Sequence, residues 1–415
     1  MVKIFYGQHR SSFKHQGVIR SVMSHAIRAG SLFFVVITVM LLGLNLRPVL
    51  AGVGPLLSRI QAATGMGDTQ AGLLTTLPVF AMGICALYGG WLQIRLGEYR
   101  GIGIGIVGIA VACLLRCWLT STAGLLLTAA LAGIGIALIQ ALMPSFLRRS
   151  FSRQSSRLMG LYTTAIMGGA ALAAASISPL ADIMDWDGAL AIWGALATLA
   201  TVAWLITVSL SPMPDSATRS APAPAPSQNR AWALMIFFGI GTAAYTLVLA
   251  WLPPYYTQLG WSPARSGLLL GGLTLTEVVA GLLVSLLINR FPDRRYLLLP
   301  VLLLLLLGMA GLILAPQTLV LPIMIALGLG IGALFPLSLI IALDQVDDPR
   351  QAGALMGFVQ GGGYLIASLM PLLAGFIRQY TSGLGQAWLI MAAGVVVLIL
   401  MALRFAPRHQ VPASA

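Results

Sequence analysis

Charged residues are scarce in this chain: Asp, Glu, Lys and Arg make up only 8% of its 415 residues, against about 25% in soluble domains. That shortage excludes a water-covered globular surface. Histidine is confined to His9, His15, His25 and His409, all in the terminal tails, which excludes a histidine proton relay in the apolar body. Cysteine is limited to Cys85, Cys113 and Cys117, inside apolar runs and without His or Cys partners at metal spacing. They read as small apolar filler rather than a redox or metal framework. No Walker motif is present, so ATP-driven chemistry is not indicated. The glycines of "GIGIGIVG" (101–108) follow no strand and read as close helix packing. No His/Cys/Asp cluster or nucleophile–base pair suggests an enzyme, and no cofactor or metal is expected.

What remains is hydrocarbon. Apolar residues reach 58% and mean hydropathy is +0.92, in long runs without the period-two alternation of a barrel strand. Backbone groups have no water to bond in hydrocarbon, so such runs must be helices. Twelve spans are expected: 31–57, 69–94, 101–119, 122–146, 157–180, 188–210, 231–256, 264–289, 296–315, 319–343, 353–377 and 385–406. The fold class is therefore all-α integral membrane, twelve transmembrane helices. The Pro/Ala/Ser-rich stretch at 211–230 reads as a solvated linker. It separates an N-terminal six-helix bundle (31–210) from a C-terminal one (231–406), with tails at 1–30 and 407–415. The first apolar run is too long for a signal peptide and reads as a retained span, although translation starting near Met23 stays open.

The net charge of +13 is explained by topology rather than nucleic acid. Apart from Arg47, every basic residue except Arg59, Arg116, Arg265 and Arg378 falls in a segment on one side of the expected membrane. That bias places both termini and the linker in the cytoplasm.

Short segments recur in order, at offsets between 195 and 199 residues. "VLAGVGP" (49–55) matches "VLAWLPP" (248–254), and "QAGLL" (70–74) matches "RSGLL" (265–269). "GIGI" (133–136) matches "GLGI" (328–331), and "LMG" occurs at 158–160 and 355–357. Two parallel six-span repeats around a linker resemble the major facilitator superfamily, whose site lies at the midplane between the halves. The loop "GGWLQIRLGEYR" (89–100) is similar to that superfamily's signature through Gly90, Arg95 and Gly97, with Ile94 where an aspartate is expected. Its second copy, "INRFPDRR" (288–295), keeps Arg290 and has Asn289 at the aspartate position.

Inside the membrane the polar residues are few. Arg47, in "GLNLRP" (43–48), is the one basic residue deep in a span, and Glu277 is its acidic counterpart in the eighth. A charge at bilayer depth costs about 2.5–3.5 kcal/mol on insertion scales, so each should face a partner or a wet cavity. Helical spacing aligns Gly43, Arg47, Ala51 and Gly54, small residues expected to clear room for a ligand beside the guanidinium. Pro48 frees the carbonyl of Leu44 and loosens the turn. Asn45 lies about 200° around an ideal helix from Arg47. Arg47 reads as an anion-binding group or as a structural arginine bonded to carbonyls or an acid. For Glu277, proton coupling, pairing with Arg47 and a water-facing role all stay open. Gln140 and Gln360 line a pore or bond between helices, Tyr245 and Tyr364 are candidate cavity aromatics, and Trp251 fits an interfacial belt.

A narrower resemblance rests on "GLNLRPVLAGVGPLL" (43–57), "LLTTLPVFAMG" (73–83), "GIGIALIQALMPSFLRRSF" (133–151), "LGLGIGALFPLSLIIALD" (327–344), "FVQGGGYLIASLMPLLAGFIR" (358–378) and "LRFAPR" (403–408). These segments are similar to the bacterial cyanate and nitroimidazole transporter family. The resemblance implies a secondary or facilitated transporter of a small anion, cyanate first, in the bacterial inner membrane. Arg47 would carry the charge and Asn45, Gln140, Tyr245, Gln360 and Tyr364 the neutral contacts. Expected partners are the bilayer, the anion and protons through Glu277; a monomer is expected and nucleic acid is not. A transporter of a neutral or aromatic compound, or a non-transporting receptor, are the alternatives.

Overall fold

In a computed structural model, residues 33–151, 154–210, 228–346 and 349–405 are described. The expected tails at 1–30 and 407–415, and residues 211–227 of the linker, lie outside them. The first span is broken into α1 (33–44), α2 (Pro48–Ala51) and α3 (Val53–Thr64). Then follow α4 (Asp68–Leu87), α5 (Gly89–Leu96), α6 (Glu98–Leu115), α7 (Thr122–Ser150), α8 (Ser155–Ala191) and α9 (Trp193–Leu210). The second half comprises α10 (Gln228–Gln258), α11 (Pro263–Leu287), a 3₁₀ turn (Ile288–Arg290), α12 (Arg295–Leu314), α13 (Val320–Leu343), α14 (Pro349–Thr381) and α15 (Gly385–Leu403).

Eleven helical stretches among the described residues are long and apolar enough to cross a membrane, and the shorter apolar helix Trp193–Ser209 completes twelve. The fifth and sixth spans join in one element, interrupted where Met184 and Asp185 leave helical geometry, Asp185 at φ 61°. The expected second span stops earlier than read from the sequence, at Leu87, and α5 is a separate short helix. Ser121 and Ser262 cap α7 and α11 by accepting the amides of Gly124 (3.2 Å) and Arg265 (3.3 Å). Large apolar side chains such as Leu205, Leu286, Leu307 and Leu314 stay exposed, as a lipid-facing belt requires.

Two faces are distinguished by the chain itself. The linker face carries the ends of α9 and α10 that flank residues 211–227; the far face carries the turns at 65–67 and 259–262. Across the seam between the repeats, α4 packs on α14 and α8 on α11, with α3 against α10. Hydrocarbon offers helices no solvophobic drive to associate, so close approach through small residues supplies the contact. A Cβ on Gly72 would run into the backbone of Pro371, and one on Gly83 would meet the Gly361 carbonyl at 2.9 Å. The Thr76 hydroxyl donates to the Ser368 carbonyl between these levels, at 2.7 Å. Near the far face, Gly267 abuts Ala174, and a Cβ on Gly271 would lie 3.1 Å from the Ala171 carbonyl. Arg378 closes on Asp68 at 3.1 Å, and Gln379 accepts from the amide and hydroxyl of Thr69 at 3.1 and 2.6 Å.

At the linker face each repeat ties its short loop to a neighbouring helix end by an ion pair, with the charges exchanged. In the first half buried Glu98 lies 3.9 Å from Arg149 at the end of α7 and accepts from Gln93 at 2.8 Å. In the second, Arg294 donates to Asp344 at the end of α13 at 2.9 Å. Of the loop-signature residues, Gly97 is required by its φ of 72°. Gly90 faces open space, Arg95 lies over Trp91 of its own helix at 5.8 Å, and Arg290 is exposed. Beside it, hydrogen bonds from Arg295 hold the Asp293 carboxyl below the usual carboxylate range.

Within the second half, a Cβ on Gly328 would clash with Thr276, and one on Gly332 with the backbone of Glu277. This stripe presses α13 onto α11 and leaves the Glu277 side chain to the other side. Gly332→Val should therefore destabilise the fold by about 1–3 kcal/mol through overpacking, read as a lower unfolding midpoint of the detergent-solubilised protein.

Candidate functional site

The chain break at residues 45–47 positions Arg47. The amides of Asn45 and Leu46 bond tightly back to Leu42 (3.2 Å) and Gly43 (3.1 Å), and Pro48 opens α2 with no amide to give. Arg47 occupies the cap position of α2, and its own carbonyl takes the amides of Leu50 and Ala51 at 3.0 and 2.9 Å. Its side chain is 5% exposed, and Nε is buried without a hydrogen-bond partner. Among the described residues no carboxylate forms an ion pair with it.

Its nearest ring is Tyr245 of α10, whose centroid is 5.2 Å from Cζ, a cation–π distance. The Arg47 charge also bears on Tyr162 of α8, Tyr364 of α14 and Glu277 of α11. All five side chains are nearly buried. They come from five spans, two in the first repeat and three in the second, so the group straddles the seam. The hydroxyls of Tyr162 and Tyr245 are buried without a hydrogen-bond partner. Phe238 backs Tyr364 edge-on, ring centroids 5.4 Å apart.

The expected site residues divide. Arg47, Tyr245, Tyr364 and Glu277 come together. Asn45 does not join them: its side-chain amide donates to the carbonyls of Leu41 (2.7 Å) and Leu196 (3.4 Å), turned outward to α9. Gln140 and Gln360 are half-buried and do not join the group; the Gln140 carbonyl oxygen is buried without a hydrogen-bond partner. The room expected beside Gly43 is taken by α8, for a Cβ there would lie 2.7 Å from the Tyr162 carbonyl and 2.9 Å from the Ala165 side chain. Gly54 lets α10 approach in the same way, with carbonyls 3.3 Å from a Cβ position. Trp251 belongs to no interfacial belt: it is 1% exposed and donates to the Pro371 carbonyl at 2.9 Å.

Tyr162 is the member that sequence reading missed. Its signal was a lone phenol in a span otherwise rich in Gly, Ala and Met, and nothing in that spacing says which way it points. Glu277 and Arg47 feel each other's charge without forming an ion pair. A buried cation on an aromatic face, ringed by phenol donors, is an arrangement that accepts a small anion.

The sequence profile of the Major Facilitator Superfamily matches residues 32–347, and again 256–415. The chain belongs to the Major Facilitator Superfamily. It is 39% identical to the cyanate transport protein CynX of Escherichia coli K12 over 374 residues, covering 89% of this chain and 97% of that one. It is 30% identical to the 2-nitroimidazole transporter of the same organism over 371 residues, 88% of this chain and 92% of that one. In structure it is similar to the xylose transporter XylE from E. coli in an inward-open conformation, with a TM-score of 0.72. That match has 12% identity and covers 92% and 97% of the two chains. The nucleoside transporter NupG gives 0.71 at 14% identity, covering 89% and 99%. The superfamily relation makes this a membrane transporter of a small molecule.

Asn45→Ala should cost about 1–3 kcal/mol, because the Leu196 and Leu41 carbonyls lose their donor inside hydrocarbon. A melting curve in detergent should shift down while the KM of the transported solute stays at the wild-type value.

Proposed function

We propose that this protein carries a small monovalent anion, cyanate in the first instance, across the bacterial inner membrane by alternating access. The observation that carries the reading is Arg47: a buried guanidinium with no ion-paired carboxylate among the described residues, held over Tyr245 at the seam of the repeats. A charge without an ion-paired partner at that depth is costly, and an anion that binds there offsets the cost on every turnover. Its 39% identity with a cyanate transport protein supports cyanate over other anions. The linker face is cytoplasmic, by the excess of basic residues on that side. The far face is closed by Asp68–Arg378 and Thr69–Gln379.

Energy comes from a gradient or from consumption of the anion inside. Glu277 is the candidate for coupling to protons. With Glu277 ionised, the Arg47 charge is largely offset and the anion is weakly held; with it protonated, the site carries one net positive charge. Anion and proton would then move together.

A second reading is a neutral or aromatic solute. It is favoured by the phenol-rich lining and by 30% identity with a 2-nitroimidazole transporter. One vesicle assay separates these readings, with labelled cyanate and 2-nitroimidazole and with or without an imposed pH gradient. On the anion reading, Arg47→Ala lowers cyanate uptake at least tenfold, and Arg47→Lys falls between because it keeps the charge but not the planar fork. Wild-type cyanate uptake in Arg47→Ala, or uptake of nitroimidazole alone by the wild type, overturns it. Glu277→Gln should abolish the stimulation by an inward proton gradient; if the stimulation persists, Glu277 is not the coupling group.

Orientation has its own test. In a chain whose three cysteines are replaced, Ser216→Cys in the linker should resist a membrane-impermeant maleimide in intact cells and react after permeabilisation. Labelling in intact cells reverses the assigned topology.

A further inference from the structure

We propose that Tyr162 is a specificity-determining residue of the transport site, its hydroxyl donating a hydrogen bond to the anion that Arg47 holds. The inference rests on the anion reading above and adds a residue and a selectivity to it.

Four observations carry the inference. Tyr162 is 2% exposed, yet its hydroxyl has no hydrogen-bond partner, and a buried phenol without a partner is uncommon in native proteins. Second, its buried side chain lies within range of the Arg47 charge and of the Tyr364 phenol of the other repeat, so it faces the seam rather than lipid. Third, its backbone is locked against the broken span. The Tyr162 carbonyl fills the place of a side chain at Gly43, and Gly169 one helical turn pair further on abuts Leu44. The tyrosine and the arginine are thus fixed to one another within the first half, as a positioned donor pair must be. Fourth, Tyr162 sits on α8, which packs against α11, the element that carries Glu277.

The donor pattern gives the selectivity. Arg47 Nε and the Tyr162 and Tyr245 hydroxyls all have hydrogens to give. The ligand that satisfies them is a small anion with compact, strongly accepting terminal atoms and no hydrogen of its own. A phenol hydrogen bond to oxygen or nitrogen of an anion is strong, whereas a diffuse sulfur terminus accepts weakly. Cyanate is therefore preferred to thiocyanate, and that preference depends on Tyr162.

The test compares the wild type with Tyr162→Phe, which keeps the ring and its packing. Proteoliposome uptake gives KM and Vmax for cyanate and thiocyanate, and a melting curve in detergent checks the fold. The expected result is a rise of tenfold or more in the cyanate KM with Vmax and melting temperature unchanged. The thiocyanate KM should move far less, so that the preference between the two ions collapses. A purely structural tyrosine moves both ions together, and that result, or an unchanged cyanate KM, overturns the proposal while leaving Arg47 in place. If the wild type takes up neither ion, the anion reading falls and Tyr162 with it.

Discussion

A guanidinium buried in the broken first span, without an ion-paired carboxylate among the described residues, is the constraint around which the rest is arranged. It is not compensated in the usual way, by an acid at hydrogen-bond distance. It lies against the face of Tyr245 and within the field of Glu277, on the other repeat. The backbone accommodates it by breaking: tight turns at Asn45 and Leu46, an imino acid at the next position, and a fresh helix start. Asn45, two residues away and facing the opposite direction, bonds to the Leu41 carbonyl of the broken span and to the Leu196 carbonyl of α9. The misfit residues of "GLNLRP" thus form one device, in which one side chain carries charge and the others repair the backbone around it.

Around this group, glycine and alanine set the distances. The seam has two ribs, α4 on α14 and α8 on α11, and in each a carbonyl of one helix fills the place of a side chain on the other. Packing of that kind is short-ranged, which suits the parting and meeting of surfaces that the proposed alternating access requires. The linker-face ion pairs serve each half separately. Glu98 with Arg149 and Arg294 with Asp344 occupy corresponding places in the two repeats with their signs exchanged. The exchange accounts for Ile94: the acidic partner of the first loop is supplied four residues later, by Glu98.

Sequence was sufficient for much of this. Scarcity of charge and continuous apolar runs fixed an all-helical membrane fold, and the recurrence of short segments exposed the two repeats. Arg47 and Glu277 stood out because each is the lone deep charge of its sign. The directions in which neutral side chains point were not legible. Tyr162 and Asn45 are equally polar members of apolar helices, and only packing tells that one faces the seam and the other faces α9. Gly43 was misread for the same reason, since an absent side chain marks room without saying what fills it. The second span was misjudged at its end because apolarity continues through α5, whereas the expected break between the fifth and sixth spans, 181–187, contains the observed one at Met184–Asp185.

One feature of the seam has a mechanical meaning. Arg47 is fixed to the first half through the contacts of Gly43 and Leu44 with α8, and Glu277 to the second through the glycine stripe of α13. The two opposite charges therefore ride on separate bodies, and rocking those bodies changes the distance between them. On the proposed alternating access, electrostatic work accompanies the movement that opens the pathway. On that proposal the conformational equilibrium and the charge state of the interior are a single variable.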